Sequence, residues 1–161
     1  MNIPEAILPF WRAFEAECGG DTPRPFLEAF HFDDNEPSAN ELGQLVLSGA
    51  KRATAGLLWV FEAEQRPFPE PGDLSVVTDW AGRPLCVIET RVVEVVPYEE
   101  VPESFARIEG EGDKTLRTWR ADHWAFFGRE CGRLGREPTL RMPVVCEQFE
   151  VIYPAAAAAN T

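Results

Sequence analysis

Strand-forming and helix-forming segments follow one another irregularly along this chain, and their order limits its possible folds more than any other feature. The runs RATAGLLWVF at 52–61 and MPVVCEQFEVIY at 142–153 each predict a buried strand. Between them, LSVVTDW at 74–80 and PLCVIETRVVEVV at 84–96 predict a β-hairpin. Helix, strand, hairpin, helix and strand in this order are typical of an α+β domain, and we expect a small closed or nearly closed sheet with helices packed over its openings.

Five further segments have the apolar spacing of helices. They are 3–20, 23–37, 38–50, 98–113 and 115–131. We expect the second of them to be a short helix followed by an acidic loop, and the fourth to run into a loop with the sequence EGEGD. Ser38 or Asn40 can cap the third helix and Thr115 the last.

The length of 161 residues predicts one domain, over 1–153, with a frayed tail at 154–161. No stretch has the composition of a signal peptide or a membrane span, so we expect a cytoplasmic protein without a membrane partner. The four cysteines are scattered, with no C-x-x-C pair, which predicts reduced thiols rather than a disulfide framework or a zinc site.

The net charge of −12 argues against a protein that coats nucleic acid with its whole surface. One stretch reverses the sign. Residues 114–141 carry seven basic and three acidic side chains, a net charge of +4. This stretch is either the solvated basic face of a helix or a local patch for an anionic ligand.

The segment LSGAKRATAGL at 47–57 contains the most specific chemistry. Residues three apart on a strand face opposite sides, so Lys51 can share a site with Thr54 only if it lies in a turn before the strand begins. Ser48, Gly49 and Ala50 can supply that turn. The small residues around Thr54 leave room for a ligand to approach closely. The alternative is a surface lysine next to a core strand.

This segment resembles the G-x-K-x-[AT]-T signature of the ASCH domain, a PUA-like family, and EGEGDKTLRTWRADHWAFF at 109–127 resembles a block of its longer bacterial members. The resemblance covers nearly the whole chain. It implies a small PUA-like mixed β-barrel flanked by helices, with a cleft near Lys51. It also implies RNA as a ligand, since members are proposed to bind RNA, some are described as ribonucleases, and a compact branch hydrolyses the amide of N4-acetylcytidine.

The resemblance further implies a catalytic group of a lysine, a threonine three residues later and a distant glutamate. Lys51 and Thr54 match the first two, and Glu109 is the better match for the third, with Glu111 as the alternative. A threonine hydroxyl needs an adjacent base to act as a nucleophile, and a lysine can be that base only if its pKa is lowered. A non-catalytic pocket made by the same residues is equally compatible with the chemistry.

Other side chains are candidates for substrate binding. Arg52, Arg117 and Arg120 could contact phosphate, His123 could move a proton or lie in the core, and Trp80 in the hairpin turn could stack on a base. We predict no cofactor, no protein partner and no metal, since acidic residues 33–36 are typical of a solvated loop. A ribonuclease-like hydrolase is the leading prediction. The alternatives are an amidohydrolase acting on N4-acylated cytidine, a non-catalytic RNA-binding module and a sensor of a nucleotide-like ligand.

Overall fold

The computed structural model describes residues 3–18 and 26–154. Five α-helices and five strands form in these ranges, together with a short 3-10 helix at Tyr98–Glu100. In chain order they are α1 (Leu8–Cys18), β1 (Phe26–Phe30), α2 (Glu36–Ser48), β2 (Ala53–Leu57), α3 (Leu58–Glu64), β3 (Leu74–Thr78), β4 (Pro84–Pro97), α4 (Glu103–Glu109), α5 (Leu116–Leu134) and β5 (Pro143–Tyr153).

The strands form one mixed sheet in the order β1-β3-β4-β5-β2. β1 pairs with β3 in parallel and the other pairs are antiparallel. The α+β class is therefore confirmed. Within the described ranges β1 and β2 are the two edges and do not pair, so the sheet is not closed into a barrel. Residues of both edge strands line one cavity.

Two predicted elements differ in the structure. The segment predicted as a helix at 23–37 contains β1, because Phe26–Phe30 is aligned along β3 at the sheet edge. The predicted strand at 52–61 stops at Leu57 and continues as α3. Leu57 pairs with Val144, next to the first residue of β5, so the partner strand ends there. The chain then buries Val60 and Phe61 in a helix.

The remaining elements agree with the sequence predictions. The β3–β4 hairpin, α2, α4, α5 and β5 form where expected, and Thr115 caps α5 by accepting a hydrogen bond from the Thr118 N–H at 3.2 Å. The cap of α2 is Asn35, whose side chain accepts from the Ser38 N–H, and not Ser38 or Asn40. The predicted helix end at Gly19 and Gly20 and most of the predicted tail lie outside the described residues.

The core has three clusters, and the clusters around α1 and α2 lie on opposite faces of the sheet, since the neighbouring residues Val76 and Val77 of β3 belong to one each. α4, α5 and the 3-10 helix pack Phe105, Trp119 and Phe127 against β2 and β5. In a second cluster, α1 packs Trp11 and Phe14 against β3 and β4. None of the helices in the described ranges has the length and apolar composition needed to span a bilayer. The packing of the core clusters places α2, β2, α4 and α5 around one cleft.

Candidate active site

A turn between α2 and β2 places Lys51 outside the alternation of the strand, as predicted. Gly49 ends α2 in the left-handed conformation, at φ 87°. The backbone N–H groups of Ala50 and Lys51 then both donate to the carbonyl of Leu45, at 3.0 and 3.1 Å. β2 begins two residues after the lysine. The Lys51 side chain is therefore directed by a helix cap and not by the pleat of the strand.

The end of α4 packs directly against this turn. The Arg52 N–H donates to the carbonyl of Ile108 at 3.0 Å. Gly110 ends α4 at φ 72°, and a Cβ built on it would lie 2.1 Å from the Ala50 oxygen. Only glycine permits this approach of the two backbones. The contact brings Glu109 and Glu111 beside Lys51, although about 60 residues separate them in the chain.

The Lys51 ammonium is completely buried and has three acceptors. Its Nζ donates to the Ala53 carbonyl at 2.7 Å, to Glu109 Oε2 at 3.2 Å and to Glu111 Oε2 at 2.5 Å. An ammonium group has three N–H donors, so these contacts occupy all of them. Nζ also lies 5.0 Å from the centre of the Phe32 ring. The lysine is a fixed, saturated internal cation.

Glu109 is buried beside Lys51 and accepts hydrogen bonds from three groups. Its Oε1 accepts from the indole N–H of Trp119 at 2.5 Å. Its Oε2 faces Lys51 Nζ at 3.2 Å and His123 Nε2 at 3.3 Å. A buried carboxylate is stable only when it is paired and hydrogen-bonded in this way. Glu109 is thus the structural centre of the cluster.

His123 has an acceptor at each ring nitrogen. Nδ1 lies 2.9 Å from the carbonyl oxygen of Trp119, and Nε2 lies 3.3 Å from the Glu109 carboxylate. Both nitrogens can be donors only in the imidazolium form. The ring also stacks on the Trp119 indole, with centroids 4.1 Å apart and planes 14° apart. Burial lowers the pKa of His123, but the Glu109 and Glu111 charges outweigh it, and the net shift is upward.

The pKa values of Lys51 and of its two charged partners shift in different directions. Burial lowers the pKa of Lys51, but attraction to Glu109 and Glu111 outweighs it and raises the pKa overall. Burial would raise the pKa of Glu109, but Lys51 and His123 hold it well below its usual range. For Glu111, burial and repulsion from Glu109 outweigh the attraction of Lys51 and raise the pKa to about 7. Glu111 is therefore the group poised to exchange a proton near neutral pH.

The cluster borders a cavity of about 450 Å³ between α2, β2 and α5. Glu109, Glu111, His123 and Thr54 all line it, so the predicted lysine motif and the predicted glutamate converge on one cleft. Lys51 itself lies behind the two carboxylates. Arg129, which also lines the cavity, pairs with Asp34 through two contacts at 2.9 and 3.2 Å.

The other predicted substrate contacts lie elsewhere. The described residues that line the cavity do not include Arg52, Arg117, Arg120 or Trp80. Arg120 donates to the Glu99 carbonyl at 3.3 Å, and Trp80 packs on His31 with centroids 4.7 Å apart. Their roles in substrate binding stay predictions. The acidic loop predicted to be solvated is partly paired, because Asp33 and Asp34 contact Arg129.

Helix faces contribute cavity residues that the sequence motifs did not indicate. Ser38, Glu41, Leu42 and Leu45 line the cavity from α2, and Asp122, Ala125, Phe126 and Arg129 line it from α5. Each set is spaced i, i+3, i+4 and i+7, which is one face of a helix. This spacing is visible in the sequence, but it does not reveal that the two faces meet across a cavity.

Glu109, Glu111 and His123 also have the spacing of a metal site, since one ligand atom from each lies within 4.8 Å of the others. The Lys51 ammonium, however, contacts both carboxylates. A divalent cation would meet that positive charge at the position where it needs the oxygen atoms. The donor set therefore fits an ion-pair network better than a metal centre.

Comparison with known proteins shows which domain family this chain is similar to. The family model described as ASCH domain matches residues 28–153. The crystal structure of an ASCH domain from Lactobacillus crispatus JV V101 is 36% identical, covers 95% of this chain and 98% of its own, and superimposes with a TM-score of 0.85. A structure from Enterococcus faecalis V583 is 34% identical, covers 92% and 88%, and has a TM-score of 0.83. No curated protein matched significantly.

Proposed function

The chain belongs to the ASCH domain family, and from that premise we propose that its cleft binds and hydrolyses a small modified nucleoside of the N4-acylated cytidine type. Glu111 carries this proposal. Its carboxyl lines the cavity, its pKa is raised to about 7, and it is bound to a protonated lysine. A general base works best when its pKa is near the operating pH.

The size and charge of the cavity support a nucleoside over a polymer. A volume of about 450 Å³ is in the range of cavities that hold small molecules. Asp33, Glu41 and Asp122 line it together with the cluster carboxylates, and Arg129 is already paired. Such a lining repels phosphate but accepts hydrogen bonds from the hydroxyl and amino groups of a nucleoside. RNA cleavage would require cations on the phosphate.

The residues suggest a simple route for amide hydrolysis. Ionised Glu111 takes a proton from water as the water oxygen bonds to the acyl carbon, and the carbonyl electron pair moves to its oxygen. Thr54, which lines the same cavity, offers a hydroxyl donor to that oxygen. When the tetrahedral intermediate collapses, the C–N bond breaks and Glu111 returns the proton to the amine nitrogen. The products are the carboxylic acid and the free nucleoside.

In this route Lys51 is a positioning residue and not the base. The two carboxylates raise its pKa, so it stays protonated at neutral pH. Its ammonium fixes the Glu111 carboxylate and stabilises the ionised form. Thr54 acts as a hydrogen-bond donor and not as a nucleophile. Protonated Lys51 cannot accept the proton of the Thr54 hydroxyl.

Purified protein assayed against N4-acetylcytidine and single-stranded RNA tests the proposal. We expect release of acetate and cytidine by the parent, and a loss of about 100-fold or more in Glu111→Gln. Glu103→Gln, an exposed carboxylate away from the cavity, is the matched control. Cleavage of RNA without nucleoside turnover would indicate a ribonuclease. Binding of RNA or of a nucleotide without turnover would indicate a binding module or a sensor.

A further inference from the structure

We propose that His123 is a positioning residue for the hydrolysis proposed above, because its positive charge balances the Lys51 cluster when Glu111 is an anion. This role rests on the proposed function, in which ionised Glu111 is the base. His123 lies on α5 and lines the same cavity, but the proposed route gives it no step.

The cluster contains two cations and two carboxylates. Lys51 Nζ lies 3.2 Å from Glu109 and 2.5 Å from Glu111. His123 Nε2 lies 3.3 Å from Glu109, and a ring nitrogen of His123 is within 4.8 Å of a carboxylate oxygen of Glu111. With His123 protonated, the charges cancel when Glu111 is ionised. With a neutral residue at position 123, one lysine faces two carboxylates, and burial makes the uncompensated negative charge unfavourable.

Contacts at both ring nitrogens favour the charged form of His123. Nδ1 lies 2.9 Å from the Trp119 carbonyl oxygen, and Nε2 faces the Glu109 carboxylate. Both partners are acceptors, so only an imidazolium can donate to the two of them. The ring also stacks on Trp119 and meets Phe127 edge-on, with centroids 4.1 and 5.5 Å away. Because the ring is buried, these contacts and not solvent set its orientation.

The same charges determine the pH at which Glu111 ionises. Burial raises the pKa of Glu111, Lys51 lowers it, Glu109 raises it and His123 lowers it, and the result is about 7. Removing the imidazolium therefore raises the pKa of Glu111 further, and the proposed base then requires a higher pH. Four other charged side chains line the cavity and stay the same when residue 123 is replaced: Asp33, Glu41, Asp122 and Arg129.

The titration of the Glu111 carboxyl group tests this role. In the full chain with carbon-13-labelled glutamate, NMR can follow the carboxyl signal that Glu111→Gln removes. We expect a midpoint near pH 7 in the parent. His123→Gln should raise the midpoint by about one pH unit, which is about a tenfold change in proton affinity. His31→Gln replaces the other histidine, which does not line this cavity, and should titrate as the parent does.

Two further variants separate the charge of residue 123 from its packing. His123→Phe keeps a ring that can stack on Trp119 and should raise the midpoint as His123→Gln does. Glu109→Gln combined with His123→Gln leaves one cation and one carboxylate, so the midpoint should return at least to the parent value. A packing defect at residue 123 would not be corrected by the second substitution.

The pH profile of kcat/KM for N4-acetylcytidine should move with the NMR midpoint. We expect His123→Gln to lose about tenfold at pH 6 and little at pH 9. An unchanged midpoint in the folded single variants, a double variant that titrates like His123→Gln, or an equal rate loss at every pH would overturn the proposal. The NMR titration needs no substrate, so it decides the charge effect of His123 separately from the proposed hydrolase activity.

Discussion

Gly110 lies so close to Ala50 that a Cβ at position 110 would be 2.1 Å from the Ala50 carbonyl oxygen. This contact joins the end of α4 to the turn that carries Lys51. It holds the Glu109 and Glu111 carboxylates within 3.2 and 2.5 Å of the lysine. The charge cluster at the cavity therefore depends on a contact between the backbones of Gly110 and Ala50.

Gly110→Ala is expected to destabilise the protein by roughly 3 kcal/mol, from left-handed strain plus overpacking against Ala50. Gly135→Ala is the matched control, since Gly135 also ends a helix at positive φ but has open space around its α-carbon. It should cost only about 1 kcal/mol. Urea denaturation measures both values. Equal losses would mean that the contact with Ala50 is unimportant.

Lys51→Met is expected to cost about 3–5 kcal/mol, because it leaves the Glu109 carboxylate buried without its main cation. Combining it with Glu109→Gln should cost less than the sum of the two single changes, since the double variant has no stranded charge. A double-mutant cycle by chemical denaturation provides the test. Strict additivity would show that the two groups do not interact.

The proposed activity is expected to rise with pH through about 7 and then level off. Glu111 acts as a base only when ionised, and its pKa is raised to about 7. The kcat/KM for N4-acetylcytidine between pH 5 and 9 measures this dependence. Glu111→Gln should lose about 100-fold or more of the rate above pH 7 and should not show this rise with pH. A rate that is constant down to pH 5 would exclude Glu111 as the base.

His123→Gln is expected to change the dependence of stability on pH. The pKa of His123 is raised in the folded state, so its contribution is complete below the unfolded value of about 6.5 and is lost as pH rises through the folded value. The parent should therefore lose more stability than the variant when pH rises above 6.5. Thermal unfolding from pH 5 to 9 tests this. A constant difference between the two proteins would mean that folding does not shift the pKa of His123.

Local patterns predicted most of the elements correctly because their information is local. Thr115 caps α5 and Gly49 ends α2, and in each case the cap lies next to the apolar spacing it terminates. β1 and α3 were predicted wrongly for one shared reason. A short apolar segment can form a strand or a helix, and the choice depends on the strand beside it. β1 is a strand because it pairs with β3. α3 is a helix because β2 reaches the end of its partner β5 at Leu57.

The sequence alone determined the composition of the site: a lysine lifted out of a strand by a turn, a threonine three residues later and glutamates in a distant loop. Only the tertiary structure decided their roles. Burial among two carboxylates and a histidine makes Lys51 a fixed cation and moves the pKa of Glu111 to about 7. Those shifts depend on distances across 58 and 60 residues of chain, and only folding creates such distances.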